Sequence, residues 1–155
     1  TGALDDGHHG DWLPVSQLTS LALTNGHPTN YLPLLRRAVN LVNLYVVAGC
    51  PPESPQDDIE LPRLETVVLD MDSGPHDSVR MLDIFTLPAL HTLQVSGGLL
   101  GHDPISSLTT FISRAGCKLQ RIFLMKSCEI SVESLHAAFP AIPEIAFDDT
   151  YEYWY

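Results

Sequence analysis

The densest set of metal-ligand side chains lies near the start of the chain, where Asp5, Asp6, His8, His9 and Asp11 fall within seven positions. Carboxylates and imidazoles so spaced can take up a divalent cation. An evolved site, however, needs ligands held in fixed geometry with further hydrogen bonds behind them. These residues stand in a glycine-containing terminal segment, the kind that is usually mobile. Residues 1–12 are therefore expected to be flexible, with no metal role, and no cofactor is expected. His27, His76, His91, His102 and His136 do not recur at ligand spacing. They are read as structural or surface residues.

Nucleophilic chemistry has no better footing. Cys50, Cys117 and Cys128 cannot all pair within the chain, and no CxxC occurs. They read as small, buried, inert thiols in a reducing intracellular compartment, cytoplasmic or nuclear. Lys118 adjoins Cys117, and Lys126 lies two residues before Cys128, but neither spacing marks an activated thiol. GxSxG, HExxH, GxxxxGK[ST] and GxGxxG are all missing. Gly97-Gly98-Leu99-Leu100-Gly101 lacks the lysine of a phosphate loop and reads as turn chemistry. The expectation is a protein that is not an enzyme.

The side chains left are those of recognition. Tyr45, Val68, Asp70, Gln94, Arg121, Phe123 and Met125 share one phase of a recurring pattern. Six segments read apolar-x-x-apolar-x-apolar: Leu18–Leu23, Leu41–Val46, Leu64–Leu69, Leu90–Val95, Leu119–Leu124 and Ile142–Phe147. Their starts are 23, 23, 26, 29 and 23 residues apart. Pro62, Pro88 and Pro140 each stand two residues before one of them. The last four positions alternate as strands do, with the two apolar residues on one side.

The other side carries three columns. The first is Ser20, Asn43, Thr66, Thr92, Arg121 and Glu144. The second is Ala22, Tyr45, Val68, Gln94, Phe123 and Ala146. The third is Thr24, Val47, Asp70, Ser96, Met125 and Asp148. Aromatics, Met and Arg are enriched at protein interfaces. These columns are expected to be exposed and to bind a protein or peptide through Tyr45, Val68, Asp70, Gln94, Arg121, Phe123 and Met125.

Helical signals separate the strands. Asp103 can cap a helix opened by Pro104, with Ile105, Leu108, Ile112 and Ala115 on one stripe and Gly116 as its stop. Ser131 can cap another, with a stripe of Val132, Leu135, Ala138 and Phe139. Val79, Leu82 and Phe85 suggest a third, after Asp77 and Ser78. Leu34, Leu35, Ala38 and Val39 suggest a fourth, after Asn30. Residues 51–58 hold three prolines and read as an acidic loop.

Strand, turn and helix at a period of 23 to 29 residues is the leucine-rich-repeat pattern. The expected fold is an α/β leucine-rich-repeat solenoid of about six repeats over residues 13–150. A parallel sheet would line its concave side and helices its convex side. The phrases at 61–69, 85–95, 108–119 and 128–135 resemble the leucine-rich-repeat region of fungal F-box-like proteins, particularly those of mushroom-forming fungi. The resemblance covers about ninety residues well. It implies the substrate-recognition part of an F-box-like ubiquitin-ligase subunit. The F-box itself is not in these residues, and the ninth repeat position forms no asparagine ladder. The alternative is a structural or self-assembling repeat protein with no ligase role. The chain opens on Thr1 rather than Met and is read as a fragment or processed form.

Eight Lys and Arg against 19 Asp and Glu leave a net charge of −11. Phosphate backbones and anionic membrane surfaces would repel such a chain, so neither nucleic acid nor membrane is an expected partner. Tyr151, Tyr153, Trp154 and Tyr155 make an aromatic tail. It is expected either to cap the last repeat or to drive self-association at the strand around Ile145–Phe147.

Overall fold

A computed structural model of the chain describes residues 14–26, 28–48, 58–71, 78–125 and 130–148. The strands are β1 (Ser20–Gly26), β2 (Asn43–Ala48), β3 (Ile59–Glu60), β4 (Thr66–Met71), β5 (Phe85–Thr86), β6 (Thr92–Ser96), β7 (Arg121–Met125) and β8 (Glu144–Phe147). The helices are α1 (Pro28–Arg37), α2 (Gly97–Leu100), α3 (Pro104–Ala115) and α4 (Val132–Ala138). Two 3-10 segments, Val15–Gln17 and Ser78–Ile84, complete the order.

Six strands form one parallel sheet in the order β1-β2-β4-β6-β7-β8, which is chain order with the two short strands left out. Each begins at the third residue of one apolar hexapeptide. The same turn leads into five of them. The amides of Leu18, Leu41, Leu64, Leu90 and Ile142 bond to the carbonyl three residues earlier, at 3.1–3.2 Å. A shared acceptor then staples neighbouring units. Glu65 and Thr66 both donate to Val42 O, His91 and Thr92 to Glu65 O, and Gln120 and Arg121 to His91 O. Equal spacing in sequence therefore becomes equal register in space.

The alternation sends Leu21, Leu23, Leu44, Val46, Val67, Leu69, Leu93, Val95, Ile122, Leu124 and Ile145 into the core. The leading residues Leu41, Leu64, Leu90, Leu119 and Ile142 join them. Burying one such side chain is worth about 1.5–3 kcal/mol, which the hexapeptide repeats several times per unit. α1, α2 and α4 pack against β1, β6 and β8 on this side. Behind them β3 pairs in parallel with β5, a small second sheet that the hexapeptide pattern does not signal.

The expected helix at 103–116 forms. The Asp103 carboxylate accepts from Ser106 N at 3.1 Å, and Gly116 closes it at φ 68°, a left-handed conformation that suits glycine. Its buried stripe is Leu108, Phe111 and Ala115, with Ile105 and Ile112 at the margins, so Phe111 joins the face and takes its centre. In α4 the Ser131 hydroxyl accepts from Ser134 N at 3.1 Å; Leu135 is buried, whereas Ala138 is exposed.

Three local expectations change. The segment at Ser78–Ile84 winds as a 3-10 helix, and Phe85 belongs to β5, because its backbone pairs with Ile59. α1 starts at Pro28, ahead of Asn30, and buries Tyr31, Leu32 and Leu35, while Val39 lies past its end and is exposed. Gly97–Leu100 is a one-turn helix rather than a bare turn. Leu99 and Leu100 are buried by that turn, and their burial outweighs the entropic cost of two glycines, about 0.5–1 kcal/mol each.

Candidate functional site

The sheet face opposite the core carries the predicted columns in register. Ala22, Tyr45, Val68, Gln94, Phe123 and Ala146 are successive Cα partners across all six strands. So are Ser20, Asn43, Thr66, Thr92, Arg121 and Glu144. The third column is broken. β1 shifts register after Leu23, the β4–β6 ladder ends at Leu69 and Val95, and only the pairs Val47–Asp70 and Ser96–Met125 remain.

Exposure along this face is not uniform, which corrects the expectation of three exposed columns. Tyr45, Gln94 and Phe123 are half-buried and Arg121 is exposed. Val68, Asp70 and Met125 are on the predicted face but retain only 8%, 4% and 5% of their surface. Thr92 and Ser96 are buried too. Parallel strands stand about 4.8 Å apart, so a short side chain between two longer ones loses solvent even on an open face. Val68 has that position, between Tyr45 and Gln94. Ser96 is drawn in where the chain turns into α2. Its Oγ caps nothing and has no hydrogen-bond partner among the described residues.

A chain of polar contacts runs along the first column. Arg121 Nε donates to Thr92 Oγ1 at 3.1 Å, Thr92 Oγ1 lies 3.1 Å from His91 Nδ1, and His91 Nε2 lies 3.5 Å from Glu65 Oε2. A carboxylate only accepts, so Nε2 carries a proton; in the neutral ring Nδ1 then accepts from the Thr92 hydroxyl. The hydroxyl accepts in turn from arginine. The order nucleophile–base–carboxylate is that of a catalytic triad, but the Thr92 hydroxyl is buried and saturated by arginine. What the chain does is hold the Arg121 guanidinium by its Nε, with its outer edge turned to solvent.

Glu65 and His91 escape a search for motifs. The signal that finds them is the repeat itself: both are second residues of consecutive hexapeptides, which adjacent strands bring side by side. Gln94 is engaged as well, its Nε2 donating to Asp148 Oδ2 at 3.2 Å and reaching across β7. Asn43 Nδ2 donates to Ser20 Oγ at 3.3 Å at the other end of the face.

Cys117 is buried, and that burial raises its thiol above the ordinary value while its own backbone hydrogen bond lowers it less. His102 and His136 are exposed and His91 is half-buried. Among the described residues, no group of three or more His, Cys, Asp and Glu is placed to hold a metal ion, and no helix is long and apolar enough to cross a membrane. The Asp/His segment at Asp5–Asp11, Cys50, Cys128, His27, His76 and the tail residues Tyr151, Tyr153, Trp154 and Tyr155 lie outside the described residues. No protein-family model matches the chain, and no curated protein or solved structure matches it.

Proposed function

We propose that this chain is a non-catalytic recognition module of the leucine-rich-repeat type, and that its open sheet face receives a protein or peptide. The observation that carries the reading is the in-register placement of Tyr45, Gln94 and Phe123 beside a guanidinium already positioned by Thr92. Half-buried aromatics next to a pre-oriented arginine supply apolar area and directed hydrogen bonds at low entropic cost. Val68, Asp70 and Met125 contribute as the floor that sets the heights of their neighbours rather than as contacts. By resemblance, the partner is the substrate of an F-box-like ubiquitin ligase in a cytoplasmic or nuclear setting.

Phe123→Ala and Arg121→Glu test the reading, with Glu133→Ala on α4 as a variant off the face. Quantitative affinity capture from cells should show one set of partners lost with both face variants and kept with Glu133→Ala. Partner sets identical for all three chains would reject it. The second reading, a self-assembling repeat protein, draws on Phe147, an apolar side chain left 38% exposed on the last strand. Sedimentation velocity over a hundredfold concentration range addresses it directly.

A further inference from the structure

The last strand of the sheet has an open edge among the described residues, since β8 pairs with β7 and with no other strand. Glu144 N donates to Gln120 O at 3.2 Å and Asp148 N to Leu124 O at 2.9 Å, so the even positions turn their backbone toward β7. By alternation, Ile145 and Phe147 turn both N–H and C=O away from it. The edge therefore offers two donors and two acceptors to an incoming strand. On the helix side Phe147 continues the core row that Leu124 occupies one strand earlier, yet it is 38% exposed where Leu124 is 1% exposed. On the open side the edge carries Glu144 and, just beyond the strand, Asp148.

Charge decides what fits. No Lys or Arg follows Lys126, whereas Glu129, Glu133, Glu144, Asp148, Asp149 and Glu152 do. A second copy of the chain is a poor match. Two β8 strands side by side in antiparallel would bring Glu144 of one near Asp148 of the other, and like charges across a strand pair destabilise it. Head-to-tail addition through β1 meets the register break after Leu23, and each copy carries −11.

We propose that β8 accepts, as the next strand of the sheet, an extended segment of another protein in which apolar residues alternate with Lys or Arg. Its backbone pairs with Ile145 and Phe147. Its apolar row covers Phe147 on the core side, and its basic row lies beside Glu144 and Asp148 on the open side. This is strand addition, in which main-chain bonds give affinity and alternate side chains give specificity. The site is separate from Arg121 and Phe123, so it stands or falls apart from the recognition face.

The test uses the whole chain and a labelled seven-residue peptide, acetyl-Lys-Val-Lys-Val-Lys-Val-Lys-amide, followed by fluorescence anisotropy. A Glu/Val peptide of equal length and a Lys/Val peptide with alternate amides N-methylated serve as comparisons. The Lys/Val peptide should bind at least about tenfold more tightly than either. Phe147→Asp separates strand addition from bulk attraction, because it adds a negative charge while removing the apolar contact. Weaker binding to Phe147→Asp, with circular dichroism unchanged, supports the proposal; equal or tighter binding overturns it. Arg121→Glu should leave this peptide within about twofold of the original chain once its charge change is matched by salt. Failure of both peptides to bind also overturns the proposal and is the result expected if residues 151–155 take the edge themselves. So does concentration-dependent self-association abolished by Phe147→Asp, which would make a second copy the occupant.

Discussion

The two edges of the sheet are built from the same hexapeptide and finish differently. Leu23 at the first edge and Phe147 at the last occupy the same final position of the pattern. Leu23 is 6% exposed and Phe147 38%. The 3-10 segment Val15–Gln17 runs ahead of β1 with Val15 in the core, and Asn40 Nδ2 donates to Ser16 O at 2.7 Å. β1 also breaks register after Leu23, which bends an edge away from further pairing. β8 has neither device among the described residues. A repeated unit thus specifies its interior through its neighbours, and an end is decided by whatever stands where a neighbour would be.

Four measurements can break or sharpen this contrast. The largest effect is expected for Leu23→Ala, about 2–5 kcal/mol in urea unfolding, against less than about 1 for Phe147→Ala, since truncating a side chain that already meets water leaves little cavity. Equal losses would erase the difference between the edges. Next come the two helix caps. Asp103→Ala and Ser131→Ala should each cost about 1 kcal/mol. Hydrogen exchange should confine the Ser131 effect to α4 and β8, whereas Asp103 sits beside an interior unit and its loss should spread to β5 and β6. Third, Arg114→Ala, which breaks a 2.7 Å pair with Asp58 between two exposed side chains, should change stability by less than about 1 kcal/mol.

The fourth concerns a single thiol between α3 and β7. Burial raises the Cys117 thiol, so the folded chain holds that proton more tightly than the unfolded one. The resulting stability is complete below the unfolded thiol's titration range and is lost as pH rises through the folded value. Peptide mapping after iodoacetamide treatment at pH 8 should find Cys117 labelled more slowly in the folded chain than in urea. Equal rates would place it at a loose end of the sheet rather than in its interior.

Much of the sheet was legible because one hexapeptide carries several kinds of information at once. Its leading leucine marks the turn, its alternation marks the strand, and its spacing marks the neighbour. Tyr45, Val68, Gln94 and Phe123 could be placed in one row from residue numbers alone, and the register agrees. Phe111 was harder, because i, i+3, i+4 spacing allows several stripes around α3, and the choice depends on which side meets β5. The 3-10 winding of Ser78–Ile84 was not legible, since β5 exists only by pairing with Ile59, a partner 26 residues away.

The amino-acid order by itself determined which side chains point to the core and which to the open face, because alternation is a local property of an extended backbone. It also determined the caps of α3 and α4, where donor and acceptor are three residues apart. Only the tertiary structure decided how much water each open-face residue keeps. Val68, Asp70 and Met125 are buried there and Arg121 is not, because exposure depends on the size of neighbours two strands away in space and twenty or more residues away in the chain. The same holds for the Glu65–His91–Thr92–Arg121 chain. Three separate repeats supply its members, and only the stacking of strands brings them within hydrogen-bonding and ion-pair distance.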